Sequence, residues 1–254
     1  MEVLISPVSL EEAKQVVEGG ADIVDIKNVK EGSLGAQFPW VTKTIVEEFR
    51  DSEVLTSATL GDLPYKPGTA ALAALGAASC GVDYIKAGLH GVKNYVQAFH
   101  MMESVVQAIR MVSDKILTVA SGYADFRRFD GVHYREVIKA AKNAGADGVM
   151  VDTAIKDGKN IMDAMSVDEI AEFIGLAKEA DLFAALAGSI GMQHLDVLAQ
   201  LDPDIIGVRG AVCDRGQRKK GIVRERVMEF MQYVEEISVH DSGRVKAKMT
   251  AVAK

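Results

Sequence analysis

Apolar segments of strand length alternate along the chain with segments of helical periodicity. We read strands at about 2–6, 23–27, 54–60, 84–89, 115–121, 148–153, 182–188 and 205–210. We read helices at about 9–19, 40–50, 69–79, 94–112, 133–144, 166–180, 191–200 and 222–237. Near-continuous apolar strands are typical of parallel sheets that are buried on both faces. Eight strand-helix units in 254 residues match the size of a (β/α)8 barrel.

We therefore predict an α/β protein with a single (β/α)8 TIM barrel as its catalytic domain at 1–240 and a C-terminal tail at 241–254. A doubly wound open sheet is the alternative fold. It is less favoured because no Gly-x-Gly-x-x-Gly follows the first strand.

Helix ends support this alternation. Ser9 with Glu12, and Ser166 with Glu169, have the spacing of capping boxes at helix starts. Glycine followed closely by aspartate separates helices from strands at 19–22, 81–83 and 145–147.

Composition narrows the class of partner. The net charge of −7 and the pI near 5.3 argue against a general nucleic-acid binder, because phosphates require a basic surface. We find no apolar run of membrane-spanning length and no leader segment, so we expect no membrane partner and a cytoplasmic location. Cys80 and Cys213 have no metal-site spacing, and we predict no metal and no cofactor.

Lysines stand where buried strands should end. They occur in Asp25-Ile26-Lys27, in Tyr84-Ile85-Lys86, and as Lys156 four residues after Asp152. Lysine is rarely buried without a partner, and polar groups at the carboxyl ends of barrel strands are typical of active sites. Because Asp25 and Lys27 are two residues apart, they point to the same side of their strand. Strands 2, 4 and 6 alternate around a barrel, so these groups can meet in one pocket.

Such lysines suit covalent catalysis through an imine. A lysine amine attacks a carbonyl only when neutral, and burial together with neighbouring cations can lower its pKa from about 10.4 to roughly 7–8. The alternative for each aspartate and lysine is a structural ion pair that fills the barrel end. Three such strand ends together favour the catalytic interpretation.

Glycine-containing loops follow strands seven and eight. Gly188 and Ser189 in one loop and Gly210 in the other can offer backbone N–H groups to a phosphate, and Arg209 adds a positive charge. Ordinary βα turns are the alternative. The long segment at 28–40 follows Lys27 and is predicted to act as a lid. Weaker candidates at the mouth are Ser57, Thr59 and His90, together with the hydroxyl of Ser121 or the phenol of Tyr123 from the segment at 121–125.

Several of these segments resemble one known family. They are Leu4-Ile5-Ser6-Pro7, the strand end at 25–27 with its loop to Ala36, the segment at 84–89, and the segment at 151–158. Over nearly the whole chain the sequence resembles (5-formylfuran-3-yl)methyl phosphate synthase, also called 4-(hydroxymethyl)-2-furancarboxaldehyde phosphate synthase, of methanofuran biosynthesis.

The resemblance implies a phosphate-eliminating lyase that joins two glyceraldehyde 3-phosphate molecules into (5-formylfuran-3-yl)methyl phosphate and releases phosphate and water. It implies that Lys27 forms a Schiff base, that Lys86 moves protons, and that Asp25, Asp152 and Lys156 complete the site. A class I aldolase, a sugar-phosphate epimerase or isomerase, and a non-catalytic phosphosugar-binding barrel are the alternatives. We expect the chain to act as a homo-oligomer.

Overall fold

The predicted strands form a closed parallel barrel in the computed structural model, which describes residues 1–217 and 220–252, the last fourteen by their backbone alone. Each strand pairs with its neighbours in chain order, and the eighth pairs with the first. The strands are β1 Glu2–Ile5, β2 Ile23–Ile26, β3 Leu55–Pro64, β4 Tyr84–Gly91, β5 Leu117–Tyr123, β6 Gly148–Asp152, β7 Phe183–Ala187 and β8 Ile205–Val208. The (β/α)8 barrel is confirmed.

Helices surround this barrel. They are α1 Leu10–Glu18, α2 Pro39–Glu48, α3 Pro67–Ala78, α4 Tyr95–Arg110, α5 Tyr134–Ala144, α6 Ile161–Ala164, α7 Val167–Glu179, α8 Leu195–Leu201 and α9 Arg224–Val252. The short α6 was not predicted, because four residues carry no helical periodicity. The predicted tail boundary at 240 falls within α9, and the side chains of 241–252 and residues 253–254 lie outside the described part.

Inward-facing side chains change character along the barrel axis. At the amino half they form an apolar plug that includes Leu4, Ile23, Val119, Met150 and Ile205. Two residues further along strands β1 to β6, the inward positions are polar, because strand side chains alternate with a period of two. These positions are Ser6, Asp25, Ser57, Lys86, Ser121 and Asp152, and Arg209 adds a buried polar side chain just after β8. The plug therefore forms the floor beneath a polar chamber at the carboxyl ends of the strands.

Aspartates fasten the amino ends of the strands in pairs. Each stands just before an even-numbered strand and accepts a hydrogen bond of 2.7 Å from a backbone N–H of the preceding odd-numbered strand. The pairs are Asp22 with Val3, Asp83 with Thr56, Asp147 with Thr118, and Asp204 with Ala184. Three of these aspartates belong to the glycine-aspartate turns noted in the sequence, which therefore join strands as well as end helices.

One of the two predicted capping boxes is complete. Ser166 and Glu169 exchange the reciprocal hydrogen bonds at the start of α7. At α1, Ser9 accepts from the N–H of Glu12, but the Glu12 carboxylate accepts from Val8 and turns toward the barrel. The prediction of a capping box at Ser9 and Glu12 was wrong, because the Glu12 carboxylate forms an ion pair with Arg209.

Candidate active site

A pocket that opens to solvent lies at the carboxyl ends of the strands, with about 340 Å³ of empty space including its mouth. Of the nine predicted site residues, eight line it; they are Asp25, Lys27, Asp152, Lys156, Gly188, Ser189, Arg209 and Gly210. Lys86 does not line the pocket and lies buried behind Asp25. The structure therefore gathers the predicted strand ends in one place.

Asp25 holds two lysines. Its Oδ1 atom lies 2.6 Å from the Nζ of Lys86, and its Oδ2 atom lies 3.8 Å from the Nζ of Lys27. The hydroxyl of Ser6 donates to Oδ2 at 2.9 Å. All three charged side chains are almost fully buried. A single carboxylate thus supports two ammonium groups in a region with little solvent screening.

This imbalance of charge shifts the pKa values. Burial would raise the pKa of Asp25, but the charges of Lys86 and Lys27 outweigh burial and lower it. Burial lowers the pKa of Lys86. The charge of Asp25 raises this pKa, the charge of Lys27 lowers it, and the net shift is downward. Because two cations share one anion, Lys86 is a group that can give up its proton while Asp25 stays ionised.

Asp152 organises the other side of the pocket. Its Oδ1 atom accepts from the Nζ of Lys156 at 2.7 Å and from the N–H of Thr153 at 2.7 Å. Its Oδ2 atom lies 3.1 Å from the hydroxyl of Ser33, which shares its one proton between this oxygen and the carbonyl oxygen of Thr153 at 2.9 Å. Burial would raise its pKa, but the charges of Lys156 and Lys27 and the hydrogen bonds from Lys156 and Thr153 lower it to about 2. Asp152 is therefore a fixed negative charge near Lys27 and Lys156.

The loops after β7 and β8 complete the lining. Gly188 has a φ of 117°, and Ser189 has a φ of 53°, so the chain turns sharply after β7. Within the described residues, the backbone N–H groups of Ser189 and Gly210 donate to no acceptor. Glycine at position 188 is required, because a side chain at this φ would be strained and would contact Thr153 and α6.

Arg209 forms an ion pair with Glu12 of α1. Its guanidinium donates to both carboxylate oxygens of Glu12, at 2.6 and 3.1 Å, and to the carbonyl oxygen of Ser6 at 2.7 Å. This pair joins the end of β8 to α1 and explains why Glu12 does not cap its own helix. The charge that we predicted for phosphate binding is largely matched by Glu12.

The segment at 28–38, called here the β2–α2 loop, folds over the barrel mouth. Asp62 at the end of β3 accepts from the backbone N–H groups of Ser33 and Leu34, and the hydroxyl of Thr59 donates to the carbonyl of Gly35 at 2.8 Å. Leu34 is fully buried. The loop thereby covers the ends of β3 and β4 and places the Ser33 hydroxyl on Asp152.

The weaker candidates occupy different environments. The phenol of Tyr123 donates to Asp62, and burial followed by the charge of Asp62 raises its pKa well above the ordinary value. His90 stacks on Phe129 at a centroid distance of 4.5 Å and is absent from the pocket lining. The buried hydroxyls of Ser57 and Ser121 have no hydrogen-bond partner among the described residues.

Known proteins identify the family. A family model described as 4-HFC-P synthase matches residues 3–231. The chain belongs to this family. A (5-formylfuran-3-yl)methyl phosphate synthase from Methanocaldococcus jannaschii is 51% identical over 233 residues, which span 91% of this chain and 99% of that protein. One from Archaeoglobus fulgidus is 51% identical over 234 residues, spanning 92% and 99%. Membership of the 4-HFC-P synthase family makes the chain an enzyme, and the predicted resemblance is confirmed.

Solved structures share the fold of this 4-HFC-P synthase family member. A 3-hexulose-6-phosphate synthase from Salmonella typhimurium superposes with a TM-score of 0.66 at 17% identity, covering 93% of this chain and 100% of that one. A KGPDC from Streptococcus mutans gives a TM-score of 0.64 at 12% identity, covering 93% of this chain and 98% of that one. These likenesses support the barrel architecture alone.

Sequence reasoning missed three residues that shape the site. Glu12 was assigned to a cap, Ser33 lies in an irregular loop without a pattern, and Asp62 follows a glycine that appeared to end its strand. Asp62 could have been recognised from the sequence in the same way as the lysines, since it is a charged residue near the end of an apolar strand. In the part of the chain that the structure describes, no cluster of His, Cys, Asp and Glu has the form of a metal site, and no helix is long and apolar enough to cross a membrane.

Proposed function

We propose that the chain makes (5-formylfuran-3-yl)methyl phosphate, the product that the names of its relatives give, by condensing two glyceraldehyde 3-phosphate molecules, and that this reaction serves methanofuran biosynthesis. Atom balance requires the release of one phosphate and two waters. The reaction is thus a carbon-oxygen lyase step coupled to condensation. The position of the Lys27 amine carries the proposal: it lines the pocket between two buried carboxylates.

Lys27 is the proposed nucleophile. Its amine attacks the carbonyl carbon of one triose phosphate, and loss of water gives a protonated imine. The imine withdraws electrons, so the proton on the adjacent carbon becomes acidic. The buried negative charges of Asp25 and Asp152 stabilise the iminium cation in a site with little screening.

Lys86 is the proposed proton carrier, working through Asp25. It contacts Asp25 at 2.6 Å and has a lowered pKa, which suits a group that accepts and returns a proton. Since Lys86 lies behind Asp25, proton movement into the pocket passes along this contact.

The enamine formed by proton loss expels phosphate or attacks the second aldehyde, and ring closure with dehydration gives the aromatic product. Lys156 is proposed to assist the departing phosphate, since its ammonium lies at the pocket wall on Asp152. The N–H groups of Ser189 and Gly210 are proposed to bind the phosphate that is retained. Arg209 lines the same pocket, but Glu12 matches most of its charge, so its proposed contribution to phosphate binding is smaller than that of these N–H groups.

A trapping experiment tests the imine. Borohydride added with glyceraldehyde 3-phosphate reduces an imine to a stable amine, and peptide mapping should place the added mass on Lys27. Lys27→Ala should abolish both trapping and turnover, whereas the matched variant Lys115→Ala, at an exposed position, should leave both intact. Full activity in Lys27→Ala would refute the imine scheme.

Product analysis separates the proposal from its alternatives. Ultraviolet absorbance of a furan aldehyde and release of free phosphate are expected together. An aldolase would stop at a reversible, non-aromatic adduct, and an epimerase or isomerase would release no phosphate. A non-catalytic barrel would bind the triose phosphate without consuming it. The cytoplasmic location and the homo-oligomer are also proposed, and sedimentation of the purified protein tests the second.

A further inference from the structure

Two carboxylates that have no role in the proposed reaction accept hydrogen bonds from the backbone of loops that carry active-site groups. Asp62, at the end of β3, accepts from the N–H of Ser33 at 2.7 Å and from the N–H of Leu34 at 3.3 Å. The phenol of Tyr123 donates to the same carboxylate. Gly32 precedes these amides with a φ of 139°, and any side chain there would collide with Asp62. The β2–α2 loop is therefore built to fit this carboxylate.

Asp125 makes the equivalent contact two strands further along the barrel. It follows β5 and is buried, and its carboxylate accepts from the N–H of Ala154 at 2.7 Å and from the N–H of Ile155 at 3.0 Å. These amides belong to the loop after β6, directly before Lys156. The nearby Arg128 lies 3.9 Å from Asp125 and also contacts Asp157 of the same loop at 2.7 Å.

The two loops meet at one carboxylate. The first loop brings the Ser33 hydroxyl to Oδ2 of Asp152, and the second brings the Lys156 ammonium to Oδ1. We propose that Asp62 and Asp125 are positioning residues, each fixing one loop so that Ser33 and Lys156 hold Asp152 from both sides. The catalytic part of this inference rests on the proposed function, since it assigns Asp152 and Lys156 to the working site.

Ionised carboxylates suit this task for a chemical reason. A carboxylate offers only acceptors, so both oxygens can receive N–H groups from one loop. An asparagine keeps the shape but replaces one oxygen by an NH2 group. At position 62 this group must face either Ser33 or the pair Leu34 and Tyr123, and at position 125 it must face Ala154 or Ile155. Substitution by asparagine should therefore weaken the attachment of the loop without emptying the space beneath it.

The test uses Asp62→Asn and Asp125→Asn, with Asp83→Asn as the matched control. Asp83 also accepts a backbone N–H at 2.7 Å, but at the amino end of the barrel, beyond the apolar plug. Hydrogen exchange followed by mass spectrometry should rise in the 27–38 peptide for Asp62→Asn and in the 153–160 peptide for Asp125→Asn. The control should change neither peptide.

Kinetic measurements distinguish a positioning role in the reaction from a role in stability alone. Each site variant should lower kcat by roughly 10- to 100-fold with a smaller change in KM, since the misplaced groups act after binding. The pKa of Asp152, followed by the carbon-13 signal of its carboxyl group, should rise by roughly one unit in each site variant, because Asp152 loses a partner that favours its ionised form. Asp83→Asn should keep the wild-type kcat and the wild-type titration. A wild-type kcat and an unshifted Asp152 titration in both site variants would overturn the positioning role.

Two further measurements keep the outcomes distinct. If a site variant fails to fold, Ser33→Ala removes only the hydroxyl contacts of the first loop, to Asp152 and to the carbonyl of Thr153, and should raise the pKa of Asp152 in the same direction; an unshifted carbon-13 titration of Asp152 counts against the proposal. If the wild-type protein makes no furan, the proposed function fails by itself. The carbon-13 signal of the Asp152 carboxyl group, followed against pH in Asp62→Asn, then decides whether the loops hold Asp152.

Discussion

Asp152 allows a quantitative test of how strongly the site stabilises a buried charge. Its pKa of about 2 compares with about 3.9 for an aspartate in an unfolded chain, a difference worth about 2.5 kcal/mol of stability at neutral pH. Because the folded-state pKa is the lower one, this stabilisation is complete above about pH 5 and is lost as the pH falls toward 2. Between pH 5 and pH 3 the loss amounts to about 1 kcal/mol.

The perturbation is Asp152→Asn. This variant loses the titrating group, so its free energy of unfolding should fall between pH 5 and pH 3 by about 1 kcal/mol less than that of the wild type. Urea denaturation followed by circular dichroism at both pH values measures the difference. Asp51→Asn, at an exposed position, serves as the control and should keep the wild-type dependence. Equal losses in the wild type and Asp152→Asn would refute the stabilisation of this carboxylate by Lys156 and Lys27.

Three further predictions concern packing around the site. Lys86→Met should lower the free energy of unfolding, measured by urea denaturation, by about 3–5 kcal/mol, because it leaves the buried Asp25 without its nearest partner. The double variant with Asp25→Asn should lose less free energy of unfolding than the sum of the losses in the two single variants. Gly88→Ala would place a Cβ 2.6 Å from a backbone oxygen and should cost about 1–3 kcal/mol in the same measurement, whereas Gly68→Ala meets nothing within 4 Å and should be tolerated. Gly32→Ala should free the β2–α2 loop, so trypsin should cleave it faster than in the wild type.

The barrel and most of the site could be predicted because both depend on local patterns. Period-two alternation put Asp25 and Lys27 on one side of β2, and the order of the strands brought β2 and β6 to the same pocket. Strand starts and helix spans follow from the same periodicity. The carboxyl end of β3 could not be placed, because Gly61 adopts a φ of 109° and the strand continues past it in a changed register.

Partnerships across long stretches of sequence were not predictable. Arg209 and Glu12 are 197 residues apart, and each had a plausible local role when considered alone. Ser33 and Asp152 are 119 residues apart, and no pattern in an irregular loop identifies which hydroxyl will reach a carboxylate. Lys86 was correctly placed at a strand end, but its position behind Asp25 depends on the length of its side chain and on the packing of three strands.

The aspartates at the amino ends of the strands divide the barrel into four two-stranded modules. Within each module a carboxylate joins the strands, whereas the seams between modules have no bond of this set. One such seam lies between β8 and β1. A circular permutant opened in α2, α4 or α7 would keep each aspartate and its partner strand in one continuous stretch of chain, while one opened in α1 or α3 would place an aspartate and its partner strand at opposite ends of the chain. The fold can thus be rearranged more readily in units of two strands than of one.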